Sequence, residues 1–295
     1  MSRYKPVRVD RRGPAMREAQ SVRAARWASV VGRMRLAFEQ VYPTLKKTPV
    51  PWDAVAEGAL RTAWSETRHA DYYNASGAIG PLQLMRVARQ DLLRLWNRSS
   101  NIRETLETSW PELHAVLVGA RSQVAIREAV NDTTELAFGV SALAFFLHVK
   151  GYWRSHPGYS KFAHDRELLI GAIGVVWAGG HSLVRRFPKR SLSTEENIQG
   201  MWAAHRTRYP HEGGGDYYRK AFLPARRKWL EFYGTTGVEL ALGSGAAGAP
   251  SDRPVSLDGP SAGATASTPS TPEGTTRSAA VSLDGPAEGE WSLDS

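Results

Sequence analysis

Ahead of about Gly243, apolar residues recur at spacings of three and four, and β-branched alternating runs bounded by hairpin turns are few. That period lays an apolar stripe along a helix and cannot line one face of a strand, so the chain is expected to be all-α. The pattern predicts helices over Ala15 to Val41, Pro51 to Arg68, Arg86 to Trp96, Ile102 to Val118, Arg121 to Ala129, Thr133 to Lys150, Arg166 to Val176, Ser193 to Arg208 and Tyr217 to Tyr233. Two glycine-bearing segments interrupt it, Asn74 to Leu82 and Trp177 to Arg186. Glycine permits the positive φ angles and close backbone approach that a binding groove uses, and it equally makes plain turns.

From about Gly243 the composition turns to Gly, Ala, Ser, Thr and Pro, with too few large apolar residues to offset the entropy of ordering. A disordered tail is expected there. It repeats Val-Ser-Leu-Asp-Gly-Pro at Val255 to Pro260 and at Val281 to Pro286, as a drifting spacer or a pair of short docking peptides would. The expected organisation is a basic helical extension over 1–50, a central domain over 51–190, a second helical extension over 191–240 and the tail over 241–295.

Charge divides the same way. Of a formal net charge of +9, Ser244 to Ser295 carries two basic and seven acidic residues, which leaves the preceding part strongly cationic. Such a surface suits an anionic partner such as cell wall, lipopolysaccharide or nucleic acid, or is simply solvated. There are no cysteines, so a disulfide framework, a thiolate metal site and a cysteine nucleophile are excluded. No apolar run followed by a small-residue cleavage site opens the chain, so no secretory signal is expected, and no stretch reaches the ~20 apolar residues of a membrane span.

The candidate for chemistry is Glu66. In the segment Asp53 to Glu66, residues Val55, Ala56, Ala59, Leu60, Ala63 and Trp64 form one stripe, with Glu66 at its edge in the last turn. A carboxylate there can project into a cleft, where desolvation by a neighbour such as Trp64 would raise its pKa toward that of a working acid. Spacing alone favours an ordinary solvated glutamate. His69 and Asp71 suggest a metal site, but no second ligand pair stands at helical spacing, so none is expected.

Glu66-Thr67 is followed by Gly77-Ala78-Ile79-Gly80-Pro81-Leu82-Gln83-Leu84-Met85. This pairing resembles the lytic transglycosylases of the soluble type, in which a catalytic Glu, usually followed by Ser, ends a helix about a dozen residues before a Gly-Ala-x-Gly-Leu-Met-Gln-x-Met run. A weaker third element, Trp177-Ala-Gly-Gly180-His-Ser-Leu-Val184, looks like the family's Tyr-Asn-Ala-Gly segment, with Trp177 and Ala178 in place of Tyr and Asn. Between them, Gly139 and Leu143 match the family's helix opening, while Glu135 and Ala142 take the places of its Asn and Tyr. The resemblance spans about Asp53 to Phe187.

It implies a lysozyme-like domain that cleaves peptidoglycan between N-acetylmuramic acid and N-acetylglucosamine, leaving 1,6-anhydro ends. Glu66 would be the single acid/base group; Thr67, Gln83, Met85 and Trp177 would bind substrate, and no cofactor or metal is implied. Met85 fits core packing equally well, and Gln83 could be a solvated loop residue. The alternatives are a structural or DNA-associated protein retaining the fold without activity, and a water-using goose-type lysozyme. A wall enzyme with no export signal needs another route, so a bacteriophage virion component delivered to the host periplasm for local wall opening is expected. An endolysin held in the host cytoplasm until release, or a substrate of a bacterial secretion machine, are the other routes. Partners would be the glycan strands, other virion proteins through the N-terminal helices or tail, and nucleic acid through the basic surface.

Overall fold

The computed structural model describes residues 20–45, 48–67, 78–120, 122, 125–126, 135–210 and 218–232. Among these the fold is all-α, with nine α-helices and no strand. They are α1 (Gln20–Val41), α2 (Trp52–Thr67), α3 (Arg86–Asn97), α4 (Ser100–Ser109), α5 (Pro111–Gly119), α6 (Glu135–Tyr152), α7 (Arg166–Gly179), α8 (Thr194–Arg208) and α9 (Leu223–Phe232). Short 3-10 turns at Tyr159–Phe162 and His181–Val184 and a π-turn at Tyr218–Phe222 join them. No described helix is long and apolar enough to cross a membrane. Residues 15–19, most of 121–134 and the tail, for which helices or disorder were expected, lie outside the described residues.

Three helices, α2, α6 and α7, form the centre. In α6 every residue from Ala137 to Leu147 is buried, and in α7 every residue from Leu168 to Val176. A helix apolar all round must be covered on every side. Around α6 pack α1, α3 and α5, while α7 lies between α2 and α8. The helices before and after the 51–190 segment therefore share its core, from Ala24 to Trp229. Aromatic rings fill the α1–α2–α6 junction: Phe38 lies 5.3 Å from Trp52 and 5.4 Å from Phe146, centroid to centroid.

The expected stripe on α2 is buried, but so is the opposite side of the helix, including Glu57 and Arg61. Those charges are covered because they are paired. Arg61 holds Glu57 on its own helix and both oxygens of Glu167 on α7, at 2.8 and 2.9 Å. Arg166 holds Glu57 (2.7 Å) and Asp53, and Arg226 of α9 reaches Glu167 (3.4 Å). Glu57 and Glu167 each meet two cations, which offsets the cost of dehydration.

The expected single helix over Ile102 to Val118 is two, broken at Trp110. Pro111 is the cause, since it disfavours helical geometry at the preceding residue and starts a new helix at its first position. The start of α8 is closed by a capping box between Ser193 and Glu196. Asp165 caps α7 and also accepts from Thr194, tying the two N-termini together.

Candidate active site

Three segments distant in sequence meet at one turn. Ile79 and Leu84 form a two-residue bridge, and within it the Gln83 amide donates to Gly80 O at 3.0 Å, closing a β-turn with Pro81 at its second position. Gly80 has φ 71° and Gln83 φ 50°. Glycine takes that region freely, whereas for glutamine it costs roughly 1 kcal/mol or more, and the surrounding contacts must enforce it. The Gln83 side chain helps, its Nε2 donating to Gly80 O at 3.0 Å.

The turn is gripped from outside through its main-chain carbonyls. Thr67, buried at the end of α2, donates from Oγ1 to Pro81 O or to Ala63 O, both at 3.0 Å. Trp177 in the last turn of α7 donates from Nε1 to Leu82 O at 3.0 Å. Arg89 of α3 donates to Leu84 O at 2.7 Å. The segment from Trp177 was expected to leave the helix, yet Trp177 to Gly179 remain helical and the break comes at Gly180, with φ 91°. That one left-handed residue ends α7 and turns the chain into the 3-10 turn His181–Val184.

Beside the turn lies a cleft of about 420 Å³, lined by Gln83, Met85 and Trp177 of the expected set. This is the size of a small-ligand pocket. Apolar walls come from α3 (Val87, Leu92, Leu95) and from Ala144 and Val176, with Asp91 and Tyr209 among its polar edges. Met85 and Val87 stand out into solvent, 47% and 67% exposed. Thr67 is buried as an anchor beneath the turn and does not line the cleft. Glu66, one residue before it, is half-buried at the end of α2 and is not in the cleft lining either. The residues that follow it, 68–77, including His69, Asp71 and Gly77, lie outside the described residues.

The cleft also contains two residues that the sequence did not single out, His148 and Tyr152 on α6. Burial pushes the His148 imidazole down to about 3, with a smaller contribution from His181, so the ring is neutral at ordinary pH. Its Nε2 is hydrogen-bonded to the Tyr159 hydroxyl at 2.7 Å, and burial raises that phenol well above its usual range. Its ring meets Trp177 edge-on at 5.4 Å. Tyr152 packs against His181, with centroids 3.8 Å apart, and burial brings His181 down to about 4. Neither His181 ring nitrogen makes a hydrogen bond of good geometry, although the Pro157 backbone slightly favours its charged form. The signal for this pair was present in the sequence: two polar aromatics at i, i+4 interrupt the end of an otherwise apolar helix.

Among the described residues no group of three or more His, Asp or Glu is placed to hold a metal ion. Comparison with known protein families, curated proteins and solved structures returns no match. The arrangement offers a preorganised turn, an apolar and aromatic trough, and a helix-end carboxylate beside the turn's anchor.

Proposed function

We propose that the chain is a peptidoglycan lytic transglycosylase with Glu66 as its acid and base, acting as a virion component that opens the host wall locally. The observation that carries this reading is the convergence of the three motif segments: Thr67, next to Glu66, grips Pro81 O, and Trp177 grips Leu82 O. Segments brought together by direct hydrogen bonds act as one site more readily than segments scattered over the surface.

In the proposed reaction the protonated Glu66 carboxyl gives its proton to the oxygen of the β-1,4 bond as the anomeric C–O bond breaks. The sugar's own N-acetyl oxygen supports the positive charge. The Glu66 carboxylate then takes the proton of the 6-hydroxyl, whose oxygen bonds to the anomeric carbon and leaves a 1,6-anhydro end. The acid is restored and no water is consumed, so one carboxylate suffices where ordinary glycosidases need two. Trp177 and Met85 would supply an apolar face to a pyranose ring, and Gln83 an amide edge.

A second reading, a glycan-binding or structural protein without turnover, is favoured by one observation: Gln83, Met85 and Trp177 line the cleft and Glu66 does not. Mass analysis of muropeptides released from purified peptidoglycan by the wild type and by Glu66→Gln separates the two. Anhydro products from the wild type alone support the transglycosylase. Reducing ends would mean a hydrolytic lysozyme, and no release from either protein would leave the binding reading.

A further inference from the structure

One end of the cleft runs into a rigid, unneutralised cationic loop. Gly180 and Tyr209 line the cleft. The chain leaving Gly180 passes through the 3-10 turn to Arg185, Arg186, Lys189 and Arg190, all exposed, and none makes an ion pair among the described residues. Two further cations are fastened to the same stretch from other elements. Arg208, next to Tyr209, donates to Ser182 Oγ, and Lys161 donates from Nζ to Val184 O (3.1 Å) and Arg185 O (3.3 Å). The nearest carboxylates along the chain are otherwise engaged: Glu196 in the α8 capping box and Glu195 with Gln199.

The loop is held as firmly as a functional surface requires. Asn197, only 3% exposed, accepts from Lys189 N at 2.8 Å, and its Nδ2, with two protons to donate, lies 3.0 to 3.1 Å from Lys189 O, Leu192 O and Ser193 O. Phe187 packs against the core, with the Lys189 ammonium 5.5 Å from its ring centroid. Like charges on a fixed backbone repel one another and cannot relax apart, a cost that a polyanion removes on binding.

We propose that this loop is a docking surface for the carboxylates of the wall polymer, continuing the cleft so that a strand seated against Trp177 lays its acidic groups along residues 185–190. The proposal rests on the peptidoglycan reading of the cleft. A cleft of about 420 Å³ admits part of one thin polymer and not a duplex, which favours an acidic glycan over DNA as the occupant that spans both. The carboxylates are those of the stem peptides, because in the intact polymer the lactyl carboxyl is taken up in the amide bond to the first peptide residue.

The test uses the full chain carrying Glu66→Gln, which binds without turnover. Arg185→Ser, Arg186→Ser, Lys189→Ser and Arg190→Ser are combined, and a control combines Arg98→Ser, Arg154→Ser, Arg219→Ser and Arg227→Ser. Pelleting is measured with purified sacculi, with sacculi whose carboxylates are capped by carbodiimide coupling to a neutral amine, and with uncharged chitin, and gel shift with duplex DNA. The loop variant is expected to lose at least ~10-fold in sacculus affinity, the parent to weaken with added salt, and the control and chitin binding to be unchanged. Loop-dependent binding is expected to be lost on the capped sacculi, and its retention there overturns the proposal. Should the combined variant fail to fold, the single substitutions, each expected to cost about twofold, decide the matter. Sacculus binding that is absent in the parent, unaffected by the loop variant or equally reduced in the control overturns the proposal, as does a loss confined to DNA. Muropeptide release by the wild type reads the cleavage separately, so the docking surface can fail while the enzyme stands.

Discussion

The Thr67 hydroxyl has one proton and two carbonyls at 3.0 Å, Ala63 O within its own helix and Pro81 O across the site. Ala63 O is an acceptor inside a helix; Pro81 O depends on the threonine for its link to α2. Thr67→Val keeps the shape and removes the link, so chemical denaturation should show a loss of about 1–3 kcal/mol, and muropeptide release should fall with it. Thr67→Ser keeps the hydroxyl and should retain most of both. Equal behaviour of the two variants would mean the bond is idle. The residue type was legible in the sequence because the motif pairs an acid with a hydroxyl neighbour. Its placement was not, because a buried threonine below the turn and a substrate-facing one give the same letters. Glu57 and Arg61 were illegible for a related reason: charges i, i+4 on a helix ordinarily mark a solvated face, and only the partners brought by α7 let them be buried.

The end of α7 separates two constraints that the adjacent glycines impose. A Cβ on Gly179 would lie 2.5 Å from Leu183 Cδ1 and 2.6 Å from His205 Cδ2, whereas a Cβ on Gly180 would meet nothing within 4 Å but would sit on a backbone at φ 91°. Gly179→Ala should therefore cost about 1–3 kcal/mol by overpacking and displace the cleft wall. Gly180→Ala should cost roughly 1–2 kcal/mol from backbone strain, and its packing-sensitive near-ultraviolet dichroism should stay near that of the wild type. Thermal melts and dichroism of the pair distinguish the causes. Helix existence was legible at this scale because the period of three and four is set within each element. Where α4 gives way to α5 was marked by Pro111 but masked by apolar spacing that continues across it. That His148 and Tyr152 reach the cleft follows from how α6 lies against α3 and meets the Trp177 ring of α7, a tertiary fact that no single helix records.

Over the whole molecule, acid should act through the cleft side before it acts through the ion pairs. His148 and His181 are held down to about 3 and about 4 by burial, while in the unfolded chain each takes a proton near 6.5. The unfolded state thus binds more protons below about 6.5, and the stability due to their neutral burial is lost as pH falls from there through the folded values. Burial would raise Asp53 and Glu167, but Arg166 and Arg61 outweigh it and keep both below the usual carboxylate range. Their contribution is present above about 4 and disappears on further acidification. The thermal midpoint should be level from pH 8 to 7 and begin to drop below about 6.5; a midpoint level down to pH 5 would show that the histidines open to water at little cost. The all-α class was legible from the sequence at this scale, whereas the cleft and the cationic loop needed segments brought together from across the chain. The manner in which the turn is gripped bears on how such a site can change over generations. Thr67, Trp177 and Arg89 all hold it by backbone oxygens, at 81, 82 and 84, so none of these three grips depends on the side chain that Met85 presents to solvent. Lineages can exchange the side chain at 85, and with it the face the cleft offers a ligand, while the frame that carries it is inherited intact.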